Sequence, residues 1–119
     1  MTDFTAVAER YLDVWNETDP AKRRELIEAL FSEGARYTDP LGDVTGADGI
    51  DGFVAAAQQQ LGGMALRLGG QVDGHHDIAR FTWHAGPEGA EPVVIGFDVI
   101  ELRDGRIDRV HGFLDRMPG

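Results

Sequence analysis

PVVIGFDVIELRDGRIDRVHGFLD, residues 92–115, is two apolar runs joined by Asp104-Gly105. An Asp-Gly pair between such runs is a strong local sign of a tight β-hairpin, because both central turn residues must take positive φ. The segment therefore reads as two antiparallel strands. Its first run, VVIGFDVIEL, is apolar at both parities, which implies burial on both sides of the strand. Asp98 interrupts that run. An ionised carboxylate there is costly, so Asp98 is expected to be paired, protonated or turned into a cavity. A buried pair with Arg80 or with a histidine is the purely structural alternative to a pocket-facing role.

Working back along the chain, HDIARFTWHA is a third strand, set off from the hairpin by the turn residues of GPEGAEP, and MALRLGGQVDG is a fourth. Upstream of these the period changes. Phe4, Val7, Ala8, Tyr11, Val14 and Trp15 recur at helical spacing, with Thr2 or Asp3 placed to cap the start. Asp19-Pro20 reads as an N-cap followed by proline at the first helical position. Leu26, Ile27, Leu30 and Phe31 share one face of that second helix, and Gly34 is its expected stop. A third helix is expected from Ala47 to Leu61, with Ile50, Phe53, Val54, Ala57 and Leu61 inward and Gly62-Gly63 ending it. Between the two, ARYTD is expected to be extended, since a residue before proline avoids the α region, and LGDVTG to be loop or a short strand. Helices followed by an antiparallel sheet make an α+β fold, and 119 residues suit one domain spanning residues 1–119.

Composition narrows the function. A formal charge of −10, from 21 acidic and 11 basic residues, repels polyanions over most of the surface, so neither nucleic acid nor an anionic membrane is an expected partner. The absence of cysteine excludes disulfides and thiolate metal sites and suits a reducing cytoplasm. MTDFTAVAERY has no basic n-region, and no apolar run is long enough for a membrane span, so neither signal peptide nor transmembrane helix is expected. Ser32 is the only serine, which removes Ser-His-Asp catalysis, and no phosphate-binding glycine loop follows a strand. His75-His76-Asp77 invites a metal reading. Adjacent strand residues face opposite sides, however, and no third ligand is in view, so a loop with a His-Asp hydrogen bond is expected instead and no metal or other cofactor.

YTDPLG, residues 37–42, raises the functional question. Asp39 before Pro40 is common turn chemistry, yet it is also a carboxylate just beyond a helix. Arg10-Tyr11 in the first helix, Asp39-Pro40-Leu41-Gly42 after the second and Asp98 in GFDVIEL together resemble the nuclear transport factor 2-like superfamily. That superfamily includes ketosteroid isomerase, the SnoaL-like polyketide cyclases and limonene epoxide hydrolase. The resemblance runs roughly from Val7 to Asp115. It implies a cone: three N-terminal helices packed in a curved, mostly antiparallel sheet, with an apolar pocket at the open end.

The likeness to ketosteroid isomerase implies roles. Asp39 would be the base that moves a proton beside a carbonyl, and Tyr11 with a protonated Asp98 would donate hydrogen bonds to the developing enolate oxygen. Trp15, Phe31, Phe53, Val54, Phe81, Trp83 and Leu114 would line the substrate pocket. Phe31 and Val54 stand where the isomerase has supporting tyrosines, and Trp15, Trp83 and Leu114 imply a different pocket shape, so an apolar carbonyl compound is implied rather than a steroid. The epoxide hydrolase likeness wants an Asp-Arg-Asp relay. Arg80 and Asp98 could supply two members, but if Phe81 and Trp83 point inward then Arg80, His84 and His111 face outward. A ligand-binding or structural member of the fold without turnover is the third reading. Finally, Val93, Ile95, Phe97, Val99 and Phe113 form an outer sheet face that three helices inside a cone cannot cover, so a homodimer packed sheet to sheet is expected.

Overall fold

Asp3 accepts a hydrogen bond from the Ala6 amide at 3.0 Å and opens α1 (Phe4–Asn16). Asp19 does the same for the Ala21 amide, and Pro20 begins α2 (Pro20–Leu30) where its missing N–H is no loss. The computed structural model describes residues 2–118. In it α2 runs straight into β1 (Phe31–Asp39), and β2 (Gly42–Thr45), α3 (Gly46–Leu61), β3 (Leu66–Leu68), β4 (Asp73–His75), β5 (Ile78–Ala85), β6 (Val94–Arg103) and β7 (Arg106–Arg116) follow. The strands form one curved, open sheet in the order β2-β1-β7-β6-β5-β3, with β4 beside β5. Every pairing is antiparallel except β1 with β7. The fold is the α+β cone that the resemblance implied.

Four local expectations need correction. Gly34 does not stop α2, which ends at Leu30; its φ of +76° lies inside the register shift of β1 against β7, so the glycine serves a bulge. MALRLGGQVDG is two short strands, because the chain breaks at Gly69-Gly70, and the His84 ring lies where a Gly69 side chain would stand. His76 takes φ +51° at the β4–β5 hairpin, and among the described residues no His-Asp hydrogen bond forms there. Burial in β6 is one-sided: Val94, Gly96, Asp98, Ile100 and Leu102 are buried, while Ile95, Phe97, Val99 and Glu101 are only half-buried. The Asp104-Gly105 turn does take positive φ at both positions, +53° and +81°.

Two side-chain clasps tie the helices to each other and to the sheet. Asn16 exchanges paired hydrogen bonds with the backbone of Leu66, at 2.9 and 2.7 Å, which fixes the end of α1 on β3. Arg23, 5% exposed, donates to Asp51, Gln58 and the Glu17 carbonyl, and Gln58 donates to the carbonyls of Trp15 and Glu17. The last carbonyls of α1, which lack partners within the helix, are thus met by the other two helices. Arg23→Ala leaves Asp51 and the Gln58 side-chain oxygen without their donor, while Gln58 still meets the two carbonyls. Because Asp51 retains some access to water, the expected loss is about 3 kcal/mol, at the low end for breaking a buried pair, read from urea unfolding.

Candidate active site

Asp39 ends β1, and both oxygens of its carboxylate accept hydrogen bonds. Oδ1 accepts from the amides of Leu41 at 2.7 Å and Gly42 at 3.0 Å, which is the turn chemistry that Asp-Pro suggested. Oδ2 accepts from the Tyr37 hydroxyl at 2.7 Å, and that bond points into the cone. Tyr37 and Asp39 are two apart on a strand and so share a face.

Asp98 reaches the same place from β6. Its neighbour across the sheet is Gly112. A Cβ built on Gly112 would lie 3.0 Å from Asp39 Cβ and 3.0 Å from Asp98 Oδ1, so both acids crowd one backbone position. Glycine at 112 is what lets them do so. Asp98 is 3% exposed, and burial pushes its carboxyl from 3.8 up to about 7. The Trp83 indole N–H opposes that rise, and the charge on Asp39 adds to it. Trp83 comes close because its ring lies over Gly96, where a Cβ would clash with the indole at 2.1 Å.

Tyr11 projects from α1 into this cluster and is 1% exposed. Burial first, then the charges of Asp98 and Tyr37, hold its phenol well above the usual range. Its hydroxyl is nevertheless the one buried side-chain polar atom, among the described residues, without a hydrogen-bond partner. The Tyr37 phenol is also raised, by burial, then by Asp98, then by its bond to Asp39. Aromatic rings enclose the group. Tyr11 has Phe81 at 5.6 Å and Trp15 and Phe31 at 6.2 Å between centroids, and Tyr37 has Phe53 at 5.1 Å and Trp15 at 5.5 Å. Val54 is buried in the same core, and half-buried Leu114 packs against it beside Gly96.

A family model of the SnoaL-like domain matches residues 8–110. The chain belongs to the SnoaL-like family. The structure of a candidate isomerase of the SnoaL-like family from Agrobacterium tumefaciens is 40% identical, with a TM-score of 0.90 over 97% of this chain and 99% of that one. A candidate ketosteroid isomerase from Kribbella flavida is 22% identical, with a TM-score of 0.71 over 96% of this chain and 78% of its own. A de novo designed protein with a curved β-sheet is 12% identical, with a TM-score of 0.70 over 96% and 88%. The last two likenesses concern the fold alone. No curated protein matches the chain.

In this SnoaL-like protein Tyr11, Asp39 and Asp98 do meet inside the cone, from α1, β1 and β6. Tyr37 is the member that sequence reasoning passed over. Its signal was present: it sits two residues before Asp39 in a segment read as extended, and so on the same face. Arg80 turns the other way, 65% exposed and bonded to Asp73 at 3.2 Å, and His111 faces outward against Glu101 at 2.6 Å. Three surface cavities of about 330 to 470 Å³ are lined by residues other than Tyr11, Tyr37, Asp39 and Asp98, one of them by Phe31 at the β1 bulge. Asp39, Phe53, Trp83 and Leu114 are half-buried. Among the described residues no helix is long and apolar enough to cross a membrane.

Proposed function

We propose that this SnoaL-like protein moves a proton on carbon next to the carbonyl of an apolar small molecule. Asp39 takes the proton and returns it at a second carbon. Tyr11 and protonated Asp98 donate hydrogen bonds to the carbonyl oxygen as it gains charge, in surroundings where such bonds are strong. The observation that carries the reading is the orphan hydroxyl of Tyr11. A buried donor without an acceptor costs about 1–3 kcal/mol, and a ligand oxygen beside Asp98 would supply that acceptor. The relative from Agrobacterium described as a candidate isomerase supports the same class of chemistry.

Cyclohex-3-enone, whose double bond moves into conjugation by this route, is a direct probe, followed by ultraviolet absorbance. 2-Naphthol, a phenol that stands in for the enolate, tests the donors by fluorescence titration. Asp98→Leu is expected to weaken naphthol binding more than tenfold. Absence of both isomerisation and naphthol binding would leave the second reading, a binding or structural member without turnover. The near-complete burial of Tyr11 and Asp98 favours that reading, as does a designed protein of the same fold. An epoxide hydrolase relay has no such support, since Arg80 lies on the outer face.

We also infer that two copies pack through the outer sheet face. Phe113 is 55% exposed there, beside half-buried Ile95, Phe97 and Val99, while Val93 packs against the core. That apolar strip would be costly to leave in water. Light scattering at micromolar concentration should give twice the chain mass, and Phe113→Glu should halve it. A wild-type monomer would refute the packing.

A further inference from the structure

Resting on the proton-transfer reading, we infer that Tyr37 is a positioning residue, which holds Asp39 through its 2.7 Å bond to Oδ2 and so decides which carboxylate atom meets the substrate. Oδ1 is occupied by two backbone amides, so Oδ2 is the oxygen with a free lone pair. Without the Tyr37 bond the carboxylate could still pivot about the turn, because the two amides grip one oxygen only.

The tyrosine is itself held. It is 5% exposed, and its ring forms a three-ring cluster with Trp15 and Phe53, whose own centroids lie 6.1 Å apart. Phe53 can approach because it lies over Gly42, where a Cβ would stand 2.4 Å from its ring. The clamp runs from α1 through Trp15 and from α3 through Phe53 to one phenol, and from that phenol to the base. A residue that fixes a reacting atom in this way contributes through orientation and leaves substrate affinity largely alone.

The test is Tyr37→Phe, which keeps the ring and removes only the hydroxyl. With cyclohex-3-enone, kcat should fall about tenfold, as for loss of a hydrogen bond to a charged group, while KM stays within twofold. A purely structural tyrosine would not lower kcat apart from KM. A readout independent of turnover is the tyrosine hydroxyl proton in the NMR spectrum of the whole chain. A proton held this tightly should resonate downfield of the amides and vanish in both Tyr37→Phe and Asp39→Asn. Wild-type kcat in Tyr37→Phe, with turnover lost in Asp39→Asn, would overturn the inference alone, and so would the absence of that resonance. Full turnover in Asp39→Asn would overturn the proton-transfer reading, and Tyr37 would then have no base to position.

Discussion

Asp98→Asn should make this protein more stable at neutral pH. Its carboxyl has a folded-state pKa of about 7 against 3.8 for the ordinary group. Below pH 3.8 both the folded and unfolded states hold the proton, and wild-type stability has its full value. As pH rises from there to about 7, the unfolded chain releases the proton freely while the folded one must keep it. Stability is therefore lost across that window, and above it the loss is complete, of order 4 kcal/mol. Asparagine, neutral and of the same shape, has no proton to lose. The difference in unfolding free energy between wild type and Asp98→Asn should swing by several kcal/mol between pH 4 and pH 8, in favour of the variant. Urea titrations at four or five pH values check this, and a pH-independent difference would mean that Asp98 is charged or solvated in the folded state. The same ionisation bears on turnover. A donor to an oxyanion must be protonated, so kcat/KM should decline above about pH 7.

Asp39→Asn should abolish turnover of cyclohex-3-enone, by a factor of about 10²–10⁴, with the fold intact. Asparagine Oδ1 can still accept from the Leu41 and Gly42 amides, so the turn survives. Its amide faces the Tyr37 hydroxyl, which can rotate to accept in place of donating. What disappears is the basic oxygen. Asp39→Ala separates the two roles of this residue, because it loses the turn as well and should also unfold at lower urea. If Asp39→Asn turned over substrate like wild type while Asp39→Ala merely unfolded early, the aspartate would be turn chemistry and nothing more.

Asp98 was legible because it interrupts an apolar strand, and Asp39 because its Asp-Pro turn, common in itself, matches the resemblance together with Tyr11 and Asp98. Tyr37 was not singled out, because a tyrosine in a strand needs no explanation until its hydroxyl is seen 2.7 Å from a carboxylate. The bulge at Gly34 and the break at Gly69 were misread or missed for a related reason. A glycine marks a departure from regular backbone but does not say which one, and the choice between cap, bulge and break depends on the neighbouring strand.

What this sequence settled alone is set by short-range physics: the helical and strand periods, the Asp19 cap, the Asp104-Gly105 turn, and the presence of an acid where an acid is costly. The tertiary structure decided where those acids lie. Three segments far apart in the chain bring Tyr11, Tyr37, Asp39 and Asp98 together, and Gly112, Gly96 and Gly42 leave the room that Asp39 with Asp98, Trp83 and Phe53 occupy. Protonation, orphaned donors and fixed carboxylates follow from burial and contact, and those exist only once the sheet has curved around the first helix.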